Sequence, residues 1–183
     1  MIRRLLLALL LCVVPFAASA QPLTDAQMVT LRAAIEADPA LNAIPNTYPA
    51  GAEQLAAALN ATATPAFIVW RTNVLIGDVG RAFNATELAG LTSVNHTRLQ
   101  TLAIYMASGV NPSVSGVRAF FDDIFSGAGG TNTRAALLAL WKRPARLIER
   151  IFATGTGTDA SPALLVFEGT ITPVTAHNAR AAQ

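Results

Sequence analysis

The sequence predicts a mainly α fold, a compact single helical domain with one or two short β elements around residues 66–72 and 163–168. Apolar residues recur at spacings of three and four through most of the chain. Helix start signals precede those runs. β-branched and aromatic residues cluster without that period in only two short stretches.

The first helix opens on a capping box, Thr24-Asp25-Ala26-Gln27, with Leu23 placed to staple onto Met28. Met28, Leu31 and Ile35 share a face, and Asp38-Pro39 ends the run. Pro45, Asn46 and Pro49 mark a loop before a shorter helix over Ala52–Leu59. After Pro65 the period changes, and Ala66 to Thr72 reads as an extended segment or, alternatively, as the first turn of a helix. Asn84 with Glu87 offers another cap, though Gly90 keeps that helix short. From Val94 to Ser108, Leu99, Leu102, Ala103 and Met106 form one stripe, with Gly109 as the stop.

Asn111-Pro112 reads as a helix start, since proline suits the first helical position. Val114, Val117, Phe120, Phe121, Ile124 and Phe125 then make one apolar face, and Gly127-Ala128-Gly129-Gly130 breaks the chain. Thr131 or Asn132 can cap the next helix, in which Leu137, Leu140, Trp141, Leu147, Ile148, Ile151 and Phe152 repeat in near-heptad fashion. Pro144 falls in its middle and should kink or split it. A linker over Thr154–Asp159 leads to Ala163–Glu168, the best strand candidate, and Thr172-Pro173 starts a short final helix.

The first twenty residues read as an address. Arg3 and Arg4 are followed by an apolar run from Leu5 to Phe16, then by a small-x-small site at Ala18-Ser19-Ala20 before Gln21. That is the layout of a secretory signal peptide, and the run is shorter than the roughly 20 residues a membrane span needs. The expected organisation is a leader over 1–20 and one helical domain over 21–183, exported to the periplasm or medium and free of the membrane once cleaved.

The chain carries 13 Lys+Arg against 11 Asp+Glu, and Arg3 and Arg4 supply that excess. The remaining residues are charge-neutral, which argues against general attraction to nucleic acid. Cys12 is the only cysteine and lies in the leader, so a cleaved chain has no thiol chemistry.

No motif carries catalysis, a cofactor or a metal. His96 and His177 lack metal-binding spacing, Asp122-Asp123 would diverge by about 100° on a helix, and the glycines at 155 and 157 lack a following lysine. An enzyme would need dispersed groups such as Arg71, Asp78, Glu87 and His96 to converge in one pocket. The more suggestive feature is a basic cluster: Arg143, Arg146 and Arg150 fall at i, i+3 and i+7, one cationic helix edge for contact with a partner if Pro144 does not interrupt it.

Two passages resemble a known family. Pro65-Ala66-Phe67-Ile68-Val69-Trp70-Arg71-Thr72 is one; Phe152-Ala153-Thr154-Gly155-Thr156-Gly157, continued by Ala160-Ser161-Pro162-Ala163 and Phe167-Glu168-Gly169, is the other. They are similar to small proteins of tailed phages and prophages encoded among virion structural genes, over roughly residues 22–172. The resemblance implies a non-enzymatic virion structural or assembly component that acts through protein partners, self-assembly included. It also implies a cytoplasmic or virion location, because the family's members begin near the equivalent of Leu23. The leader points instead to an exported periplasmic or secreted binding or accessory protein.

Overall fold

The structure, a computed structural model, describes residues 22–181. The leader over 1–20 lies outside them. Ten helices and a two-stranded antiparallel sheet are present among the described residues, and 57% of the structure is helical, so the fold is mainly α.

The first group of helices is α1 (Asp25–Ala37), α2 (Pro39–Asn42) and α3 (Ala50–Asn60). Thr24 caps α1 through the capping box, and Asp38 both ends α1 and caps α2 through the amides of Ala40 and Leu41. Two late helices, α9 (Leu147–Phe152) and α10 (Pro173–Ala181), pack onto α1 and α3. Leu31, Ile35, Leu55, Leu59, Ile148, Phe152, Phe167 and Ile171 form their shared core. Burying each such side chain contributes about 1.5–3 kcal/mol.

A second core belongs to the middle of the chain. Its helices are α4 (Ile76–Ala82), α5 (Ala85–Ala89), α6 (Ser93–Tyr105), α7 (Ser115–Ile124) and α8 (Thr131–Trp141). Val79, Phe121, Ile124, Phe125, Leu137 and Trp141 fill it, with Phe121 set edge-on to Trp141 at 5.4 Å.

Between the two cores runs a narrow seam of extended chain. Strand β1 (Ile68–Trp70) pairs antiparallel with β2 (Lys142–Pro144), Val69 opposite Arg143. On its other edge β1 touches Ala163, with Trp70 N–H donating to Ala163 O at 3.1 Å and Ala163 N–H to Ile68 O at 2.9 Å. Gly157 sits against this seam with φ +65°, where a Cβ would lie 2.2 Å from the Phe67 ring.

Four sequence expectations change. The near-heptad run over 137–152 is no continuous helix: Pro144 has no N–H to donate, its ring would clash with the preceding turn, and it forces Arg143 into the extended region. The chain therefore leaves α8 as β2 and starts again at α9. The stretch 163–168 forms only isolated bridges, Ala163 with Val69 and Leu164 with Thr154, because Phe167 turns into the first core. Helix α7 begins at Ser115 rather than Pro112, since Asn111 Oδ1 accepts the Ser113 N–H and holds a turn there. Neither Thr131 nor Asn132 caps α8 with its side chain.

Candidate interaction surface

The basic cluster was expected along one helix edge. Arg143 instead lies on β2, Arg146 precedes α9 as its N-cap, and Arg150 lies within α9. Arg143 and Arg146 are brought together around an acid, and Arg150 is not part of that group. Glu149, fully buried, receives both terminal nitrogens of Arg143, at 2.7 and 2.9 Å. It also accepts the backbone N–H of Arg146 at 2.9 Å and that of Gly169 at 3.2 Å. Arg143 reaches Glu168 as well at 2.9 Å, and Glu168 accepts the Thr72 hydroxyl. Arg150 turns towards Thr64 O and the Phe67 ring.

Burial alone pushes the Glu149 carboxyl up. Arg143 and the amide donors of Arg146 and Gly169 outweigh burial and hold it below the usual carboxylate range. Arg143 is raised in turn, chiefly by its bond to Glu149. This cluster ties β2, α9 and the 168–169 segment together, so Arg143 is committed to its own fold. Part of Arg146 and of Arg150 still reaches solvent.

The dispersed groups named as possible catalytic residues do not share a cavity. Asp78 pairs with Arg81 at 2.5 Å, and Glu87 holds the start of α8 through the amides of Asn132 and Thr133. None of Arg71, Asp78, Glu87 or His96 lines any of five cavities of about 190–440 Å³ among the described residues. No group of three potential metal ligands occurs among the described residues, and no helix there is long and apolar enough to cross a membrane.

The surface that the sequence pattern missed is on α6. The stripe of Leu99, Leu102 and Met106 packs inward as read, although Ala103 is exposed. No α6 residue is fully buried, and the opposite face carries Val94, Ile104 and Tyr105 at 66%, 76% and 81% exposure. Thr97, Arg98, Thr101, Leu102 and Tyr105, with Phe120 of α7, line an apolar groove of about 300 Å³ beside that face. Arg98 crosses the groove's rim to Asp123 at 2.7 Å, its guanidinium 5.0 Å from the Phe120 ring centre. The available signal was a second apolar spacing on one helix, Val94 and Ile104 lying opposite the core stripe. Large apolar side chains grouped on a surface mark contact sites.

No family model, curated protein or solved structure matches this chain.

Proposed function

We propose that this chain is a non-enzymatic, phage-derived structural or assembly protein that acts through protein–protein contacts. The carrying observation is the outward face of α6, where Val94, Ile104 and Tyr105 stand exposed beside the apolar groove ending at Phe120. Removing such a face from water stabilises an assembly by roughly 25 cal/mol per Å² of apolar area. The likeness of the 65–72 and 152–169 passages to small tailed-phage and prophage proteins encoded among virion structural genes supports the assembly role. A photo-crosslinking amino acid at Tyr105, introduced in the producing cell or its induced particles, tests it. The expected product is a discrete covalent adduct that the same probe at Val29 does not give. Equal background from both positions, with the chain absent from particles, overturns the reading.

A second reading, an exported accessory protein, is favoured by the Arg3-to-Ala20 pattern. The N-terminal residue of the native chain separates the two. Gln21 in a periplasmic or secreted fraction supports export, and an uncleaved cytoplasmic chain rules it out.

A further inference from the structure

We propose that the cavity between α7 and α8 binds a small organic carboxylate, its acid group on the guanidinium edges of Arg118 and Arg134 and its apolar body against Trp70 and Leu138. The α6 face plays no part in it.

Three elements build the site. Trp70 ends β1, Arg118 and Asp122 stand one turn apart on α7, and Arg134, Leu138 and Trp141 follow at spacings of four and three along α8. They line a cavity of about 410 Å³, a size within the range of small-molecule sites. Both tryptophans of the chain are among them.

The fold fixes the two arginines without using them up. Arg118 Nη1 donates to Pro112 O and to Ser113 O at 3.0 Å, and Arg134 Nη1 donates to Phe125 O and to Gly127 O at 2.9 Å. Neither side chain belongs to an ion pair among the described residues. The Arg118 guanidinium lies over the Trp70 ring, 4.1 Å from its centre. Such stacking sets the plane of the guanidinium and leaves its in-plane N–H edge for a fork-shaped acceptor. Burial outweighs the attraction of Asp122 and holds Arg118 below the ordinary arginine range, so the cation lacks a full counter-charge. Trp141, at 2% exposure, adds a third donor: its indole Nε1 is buried with no acceptor among the described residues. Buried donors are normally paired.

These groups select the ligand. Two arginines against Asp122 leave one net positive charge, which a single carboxylate neutralises and a doubly charged phosphate exceeds. An ionised carboxylate only accepts hydrogen bonds, matching the guanidinium and indole donors. Trp70 and Leu138 supply apolar surface that an inorganic anion has no body to cover.

The two tryptophans report on the site directly. The full chain is titrated with sodium benzoate at fixed ionic strength while tryptophan fluorescence is read, with benzamide and inorganic phosphate in parallel. Benzoate should give a saturable change, and the other two should bind at least about tenfold more weakly, a factor equivalent to about 1.4 kcal/mol. Arg118→Lys keeps the charge but loses the fork, and should weaken benzoate at least about tenfold. Leu138→Glu sets a like charge at a wall position that is 43% exposed and should do the same, whereas Val29→Glu on α1 should not. Unchanged circular dichroism confirms that each variant folds. Benzamide binding as well as benzoate, phosphate binding as well as benzoate, a response that never saturates, or indifference to both cavity variants overturns the proposal. So does a saturable response to a glutamate-rich peptide with none to benzoate, which would make the occupant an acidic protein segment.

Discussion

Glu87 and Thr133 join two helices end to end. The Glu87 carboxylate accepts the Thr133 backbone N–H at 2.7 Å and that of Asn132 at 2.8 Å, while the Thr133 hydroxyl accepts the Asn84 N–H at 3.0 Å. Helix α8 starts on Gly130, which has no side chain to offer, so α5 supplies the missing cap. Burial raises the Glu87 carboxyl, but the Thr133 and Asn132 donors prevail and its pKa is lowered. Glu87→Ala should speed amide exchange at Asn132 and Thr133 and lower the melting temperature. Unchanged exchange at both amides would contradict the cap.

Glu149 holds the seam between the two cores. Glu149→Ala leaves Arg143 half-buried without its main partner, and breaking a buried ion pair from one side costs about 3–5 kcal/mol. Removing both ends with Arg143→Met and Glu149→Leu should recover part of that loss, because the Arg146 and Gly169 amides still lack their acceptor. Denaturant titration of the three chains checks it; a double variant no more stable than Glu149→Ala would contradict the pairing.

The same residue sets an acid limit. Because the folded state holds the Glu149 pKa below its unfolded value, its contribution is complete above the ordinary carboxylate range. It fades as pH falls through the lowered folded value. Stability should therefore drop below about pH 4.5 more steeply in the native chain than in Glu149→Gln. Parallel pH profiles for the two would remove Glu149 from the explanation.

Gly157 should resist substitution. Its φ of +65° disfavours side chains, and an added Cβ would meet the Phe67 ring. Gly157→Ala should cost about 1–3 kcal/mol, read by denaturant unfolding, whereas Gly116→Ala meets open space and should be tolerated.

Helices with local signals were legible from sequence. Thr24 and Asn84 sit as caps, and the Leu31–Ile35 and Phe121–Phe125 faces turn inward as their spacing requires. What escaped depends on distant partners. β2 exists because Pro144 ends a helix and β1 is there to pair with it, and α8 is capped from 45 residues away by Glu87. The basic edge was misread for a related reason. Spacing along one helix counted Arg143, Arg146 and Arg150 as free, while folding wrapped two of them around the buried carboxylate of Glu149. The α6 face is masked in the sequence because Leu99, Leu102 and Met106 already satisfy the helical period, and the exposure of Val94 and Ile104 depends on which side the rest of the fold covers.

Hydroxyl-radical footprinting of the two tyrosines tests the central claim most directly. Tyr105 stands on α6 at 81% exposure, and Tyr48, at 59%, lies away from it and serves as the internal control. In dilute purified protein both should be labelled. In concentrated or native assembled material Tyr105 should be protected while Tyr48 still reacts. Equal labelling of Tyr105 in both states would mean that the outward face of α6 is never covered, and would contradict a contact role for it.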